Sequence, residues 1–92
     1  MTAQVFVDDD QGYLRWLTAN PNGYVLNTTR SPIPTYLILH RTSCSTIMGT
    51  PSRGRQWTGP YIKVCSTRRT DLEVWAEHKT GGKVRACRRC AP

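Results

Sequence analysis

The sequence contains no apolar run that approaches the roughly 20 residues needed to span a membrane. Its first residues, MTAQVFVDDDQG, also lack the basic segment and following apolar stretch of a secretory signal. We therefore expect a cytoplasmic protein that does not bind membranes. In that reducing compartment, cysteine thiols stay free or bind metal.

Residues that could act as general acids or bases are also few. The chain has two histidines and six acidic residues. His78 falls in the last turn of a predicted helix, where the helix dipole favours a cation, and the acidic triplet 8–10 suits the start of another helix. No G-x-S-x-G, P-loop or H-E-x-x-H motif occurs. We therefore expect that the chain is not an enzyme.

A length of 92 residues allows only one domain, which we place over 1–92. A core of this size leaves a small stability margin, so an additional crosslink is expected. Four cysteines could supply it, either as disulfides or as metal ligands.

Positive charge is concentrated in the second half of the chain. Residues 1–50 have equal numbers of basic and acidic side chains, so residues 51–92 carry the whole formal net charge of +7. Such an asymmetry is typical of a surface that binds a polyanion.

Apolar spacing and turn residues predict two helices and a small sheet. Tyr13, Trp16 and Leu17 recur at i, i+3 and i+4, which is one face of a helix. Thr70 and Glu73 have the spacing of a capping box at the start of the second helix. Strands are predicted at 3–7, 24–29, 35–41, 61–65 and 83–87, with a long loop over 47–60. The expected fold is α+β, a small mixed sheet of four to five strands with two helices.

The two ends of the chain also resemble each other. Trp16 lies seven residues before Gly23, and Trp75 lies seven residues before Gly82. Each end reads as strand, helix, glycine turn and strand, which indicates a βαβ-like pseudo-repeat. The alternative is two unrelated amphipathic helices, each with one tryptophan in the core.

Two short pairs of ligand-type residues predict a structural zinc site. His40 and Cys44 form an H-x-x-x-C pair, and Cys87 and Cys90 form a C-x-x-C pair near the end of the chain. Each pair can supply two corners of a tetrahedron, and four protein ligands leave no position for a reactive water. Cys65 is a competing fourth ligand in place of His40. A disulfide or free-thiol arrangement is the remaining alternative.

The basic half also contains candidate contacts for DNA or RNA. Guanidinium groups bind phosphates bidentately, and an exposed tryptophan can stack on a base. The candidate residues are Arg53, Arg55, Trp57, Arg68, Arg69, Lys83, Arg85, Arg88 and Arg89. The alternatives are a solvated basic face with Trp57 packed in the loop, an interaction module for an acidic protein partner, and a small regulator or inhibitor of another protein.

Five segments of the sequence resemble a family of small bacterial modules. They are YLRWLTANPNGYVLN, LHRTSC, WTGPYIKVC, LEVWA and the final CRRC, and the resemblance that they carry extends over most of the chain. This resemblance is to uncharacterised Cys/His modules, some of which are joined to nuclease or restriction-type domains. It implies nucleic-acid recognition or defence-related work and carries over no catalytic residue.

Overall fold

The computed structural model describes residues 3–47 and 57–92 of the chain. Within these ranges the fold is α+β, with five strands and two helices, as the sequence predicts. The elements are β1 (Gln4–Phe6), α1 (Asp10–Ala19), β2 (Tyr24–Thr29), β3 (Leu37–Arg41), β4 (Tyr61–Ser66), α2 (Arg69–Thr80) and β5 (Arg85–Ala86). Neither described helix combines the length and the apolar character needed to cross a membrane.

All five strands form one mixed sheet in the order β1-β4-β2-β3-β5. The pairs β1–β4, β4–β2 and β2–β3 are antiparallel, and β3–β5 is parallel. Val25, the second residue of β2, pairs with His40 on one side and with Cys65 on the other. Strand β2 therefore lies between the two candidate fourth ligands.

The strand–helix–strand order at both ends of the chain agrees with the pseudo-repeat. β1 and β2 run in the same direction because both are antiparallel to β4, and β4 and β5 also run in the same direction. Neither pair is adjacent, since β4 separates the first pair and two strands separate the second. Each helix therefore connects two parallel strands that are separated in the sheet by strands from elsewhere in the chain.

The two helices cover opposite faces of the sheet. Successive side chains of a strand point to opposite faces, and in β2 Val25 packs with α1 while Leu26 packs with α2. Tyr13 and Leu17 of α1 contribute to the first core cluster. The second contains Leu26, Leu37, Leu39, Ile62, Val64, Leu72, Trp75 and Ala76. Trp75 is thus a core residue.

The acidic triplet begins α1, as expected, and also attaches it to the segment before β4. Asp9 is the N-cap, and its carboxylate accepts from the backbone N–H of Gly12 at 2.9 Å. The Asp10 carboxylate accepts from the backbone N–H groups of Trp57 and Thr58 at 2.8 and 2.9 Å, and from the Thr58 hydroxyl at 2.7 Å. Asp8 pairs with Arg30.

The capping box predicted at α2 is wrong. The helix begins at Arg69, and its N-cap, Arg68, makes no side-chain cap hydrogen bond. Thr70 lies inside the first turn, because Ser66 fixes an earlier start: its Oγ donates to Asp71 at 2.8 Å and accepts from the Arg68 N–H at 3.1 Å. The predicted stop is correct, since Gly81 ends the helix with φ of 75°, a value that glycine adopts without strain.

Candidate functional site

The structure brings His40, Cys44, Cys87 and Cys90 together at one edge of the sheet, and their ligand atoms all lie within 4.8 Å of one another. The Sγ atoms of Cys44 and Cys87 are 3.9 Å apart. Two sulfurs bound to one tetrahedral ion, each at about 2.3 Å from it, stand about 3.8 Å apart. The cluster is therefore compatible with a bound metal ion.

Backbone pairing brings these four side chains together from two segments that are distant in the sequence. His40 is the penultimate residue of β3, and the turn after this strand is closed by the Cys44 N–H, which donates to the Arg41 carbonyl at 2.9 Å. The parallel pairing of β5 with β3 continues into a 2.8 Å hydrogen bond from the Cys87 N–H to the Leu39 carbonyl. The C-terminal turn of residues 87–91, which we call the CRRC turn, is closed by the Ala91 N–H donating to the Cys87 carbonyl at 2.9 Å.

Arg41 attaches the CRRC turn to the end of β3. Its backbone N–H donates to the Cys90 Sγ at 3.2 Å. Its guanidinium donates to the Cys90 carbonyl at 3.0 Å and to the Ala91 carbonyl at 3.2 Å. Sequence reasoning missed Arg41 because these partners lie about fifty positions further along the chain.

Backbone N–H groups point at two of the sulfurs, as they do in many metal-binding turns. Burial favours a neutral Cys87, but hydrogen bonds from the backbone N–H groups of Cys90 and Arg89, and from the Cys44 and Cys90 thiols, outweigh burial and lower the pKa of Cys87. Burial and the neighbouring Cys44 and Cys87 thiols favour the neutral form of Cys90, whereas the hydrogen bond from the Arg41 N–H favours the thiolate. The net effect raises the pKa of Cys90 to about 11. A cation that binds here displaces the remaining protons, since thiolates are the ligating form.

His40 is held neutral, which is the form that ligates metals. Its side chain is buried, and this burial, together with the nearby positive charge of Lys63, lowers the pKa of His40 to about 4. The Thr46 hydroxyl lies 3.3 Å from His40 Nδ1 and 3.0 Å from Cys44 Sγ. A shared hydrogen-bonding partner of this kind orients both ligands of the first pair.

Cys65 lies outside the cluster. Val25 separates it from His40 in the sheet register, so the two side chains stand two strands apart, or about 10 Å. Cys65 is fully buried under α1, and burial raises the pKa of its thiol. Of the two ligand sets considered from the sequence, the described side chains assemble the one that contains His40.

The predicted nucleic-acid residues lie in several places. Arg85, Arg88 and Arg89 are exposed, and no ion pair to them is present in the described part of the chain. Arg68 is exposed at the start of α2. The Arg69 guanidinium is already bound by Glu73 at 3.3 Å and by the Pro92 carbonyl at 2.6 Å.

The remaining candidates are Lys83, Arg53, Arg55 and Trp57. Lys83 lies before the start of β5 and lines a cavity together with Glu73 and Glu77. Arg53 and Arg55 fall outside the described residues. Trp57 is half-buried, with its ring tilted against that of Tyr13 at a centroid distance of 6.3 Å. This packing favours the interpretation that Trp57 belongs to the loop core, and a role for it in binding stays a prediction.

No protein-family model, curated protein or solved structure matches the chain. The resemblance to bacterial modules joined to nuclease-type domains therefore stays a prediction.

Proposed function

We propose that the chain is a nucleic-acid-binding module in which a structural zinc ion orders a basic C-terminal surface. One observation carries this proposal. Arg88 and Arg89 lie between Cys87 and Cys90, two members of the cluster, and both arginines are exposed. A metal that holds the two cysteines would therefore also hold the backbone that carries the arginines.

Zinc is the metal that best suits this set of side chains. Three thiolates and one imidazole match the Cys₃His composition of structural zinc sites, whereas calcium and magnesium prefer oxygen ligands. Four protein ligands complete a tetrahedron and leave no place for an activated water. The role that follows is structural: a crosslink between the end of β3 and the CRRC turn, worth on the order of 10 kcal/mol of apparent binding free energy in small peptides.

Phosphate is the ligand that the basic surface suits best. The formal net charge of +7 comes from the second half of the chain. The Arg88 and Arg89 guanidinium groups form no side-chain hydrogen bond or ion pair with any other described residue. Guanidinium groups held on a fixed turn lose little entropy when they bind phosphate oxygens bidentately. Both DNA and RNA present this group.

The alternative is a module that binds an acidic protein partner, with Trp57 as an aromatic anchor. The packing of Trp57 against Tyr13 makes it a poor anchor, because the ring is already half-buried. The related alternative, a small regulator or inhibitor, predicts tight one-to-one binding that resists moderate salt.

A salt titration of two charge-matched variants tests the proposal. We expect Arg88→Gln/Arg89→Gln to weaken binding to DNA and RNA of any sequence and to flatten the salt dependence, by about 0.9 in slope for each duplex phosphate that the arginines no longer neutralise. Arg15→Gln/Lys79→Gln removes the same net charge from exposed positions on α1 and α2 and should have a smaller effect. Equal effects of the two double variants, or unchanged affinity in the first, would remove the assignment.

A further inference from the structure

An open cavity of about 340 Å³ lies next to the cluster on the α1 face of the sheet. Asn27 and Ile38 contribute from β2 and β3, and His40 and Cys87 connect it to the cluster. Tyr36, Arg88 and Arg89 also line it. Cavities that hold small ligands range from about 300 to 1,000 Å³, so this one is large enough for a single nucleotide but small for a dinucleotide cofactor.

The cavity exists because α1 covers only part of its face of the sheet. Tyr13 and Leu17 of α1 pack over Val25 and Cys65. Asn27 lies two residues further along β2, where it pairs with Lys63 on one side and with Ile38 on the other. The CRRC turn approaches the same face from beyond β3, which leaves Asn27 and Ile38 between the helix and the turn.

Asn27 provides a polar atom that has no hydrogen-bond partner among the residues that the structure describes. Its Oδ1 is buried and accepts no hydrogen bond from any residue in 3–47 or 57–92. Buried acceptors are nearly always satisfied in folded proteins, and an exception calls for a ligand or an ordered water. Because this oxygen is covered in the unliganded fold, the Asn27 amide has to turn toward the cavity before a ligand N–H can donate to it.

An aromatic pair stands beside the cavity. The rings of Tyr36 and Tyr61 have centroids 5.1 Å apart, and Tyr61 is 42% exposed. Tyr61 lies on the α1 face because it is two residues before Lys63 in β4. Exposed aromatic rings on a sheet give unpaired bases a surface on which to stack.

We propose that this cavity binds one unpaired nucleotide of a nucleic acid. The base stacks on Tyr36 and donates an amino or imino N–H to the Oδ1 of Asn27, while Arg88 and Arg89 bind the adjoining phosphates. The assignment rests on the proposed nucleic-acid function and adds to it a substrate class, namely a strand with an extruded or unpaired base. It also gives a role to Asn27, an amide side chain that stands between two buried positions of β2.

Fluorescence anisotropy with three matched duplexes tests this assignment. One duplex is fully paired, one carries a single bulged adenosine, and one carries an abasic residue at the same bulge, each made as DNA and as RNA. We expect the wild-type chain to prefer the adenosine bulge over both others by about tenfold, the magnitude of one base–aromatic stack. The abasic duplex keeps the bent backbone, so it separates recognition of the base from recognition of shape.

Substitutions at Asn27 and Tyr36 test whether these two side chains cause the preference for the adenosine bulge. Asn27→Leu, close in volume but without the acceptor, should abolish the preference for the adenosine bulge and keep the affinity for the paired duplex. Tyr36→Leu should do the same, whereas Tyr36→Phe should retain the preference because it keeps the ring. Zinc content and thermal unfolding confirm that each variant is folded.

Two other outcomes would count against the assignment in different ways. If the wild-type chain binds all three duplexes equally in a salt-dependent manner, the nucleotide cavity is overturned while phosphate binding by the basic surface is retained. If the chain binds none of them at low salt, the proposed function fails and the nucleotide cavity fails with it.

Discussion

Arg41 binds Cys90 twice: its backbone N–H donates to the Cys90 sulfur at 3.2 Å, and its guanidinium donates to the Cys90 carbonyl at 3.0 Å. The first contact depends on the backbone and survives substitution of Arg41. The second depends on the side chain, which also reaches the Ala91 carbonyl. Arg41 therefore positions a candidate ligand without belonging to the cluster itself.

Arg41→Gln should weaken zinc binding about tenfold, as removal of a hydrogen bond that orients a ligand does in other metal sites. The backbone contact to sulfur remains in this variant, so the site should not be abolished. Competition with a fluorescent zinc chelator measures the affinity. Arg15→Gln, an exposed charge change on α1, is the control. An affinity equal to that of the wild type would mean that the guanidinium does not hold the CRRC turn.

Elemental analysis of the purified chain should give about one zinc ion per chain. Substitution of Cys44, Cys87 or Cys90 by serine, or of His40 by alanine, should reduce this content strongly. Cys65→Ala should leave it unchanged, because Cys65 is separated from the cluster by the width of two strands. Loss of zinc in Cys65→Ala, with retention in His40→Ala, would instead assign the set with four cysteines.

The free energy of unfolding should fall as the pH is lowered from about 6.5 to 4. The folded chain keeps His40 neutral with its pKa lowered from 6.5 to about 4. The unfolded chain therefore binds more protons in this window, and a stabilisation that is complete above pH 6.5 is lost toward pH 4, by about 3 kcal/mol at most. A bound metal increases the same slope, because protons compete with it for His40. Urea unfolding across this range provides the measurement.

His40→Gln should remove most of this pH dependence, and His78→Gln should preserve it. His78 is exposed in the last turn of α2, away from the cluster. If the pH dependence of the unfolding free energy were lost in His78→Gln and kept in His40→Gln, the buried His40 imidazole would not be its source.

Asp10→Ala should destabilise the fold by about 2 kcal/mol. The substitution leaves the N–H groups of Trp57 and Thr58 and the Thr58 hydroxyl without their acceptor, and the cost of partly buried donors is of this size. Equilibrium unfolding in urea gives the change, with the exposed Gln11→Ala as control. Equal stability of the two variants would show that water replaces the carboxylate at no cost.

Much of the fold could be predicted because its signals are local. Tyr13, Trp16 and Leu17 recur at helical spacing, and the strands are rich in β-branched and aromatic residues. Both signals depend on only a few neighbouring positions, so they do not require knowledge of the rest of the chain. The capping box failed because Thr70 and Glu73 have the right spacing, but Ser66, through its contacts with Asp71 and the Arg68 N–H, moves the N-cap two residues earlier, to Arg68. The role of Asp10 beyond the helix start was missed, since its partners are 47 and 48 positions away.

The sequence by itself determined the two ligand pairs, the concentration of positive charge and the two amphipathic helices, because each depends on spacing within one short segment. Only the tertiary structure decided that His40 rather than Cys65 joins the three other cysteines, and that Asn27 and Tyr36 line a cavity beside them. These relationships depend on sheet order and register, in which β2 separates the two candidate ligands and β5 pairs with β3 from more than forty residues away. Such pairing is selected by the packing of both faces of the whole sheet, and no short segment carries that information.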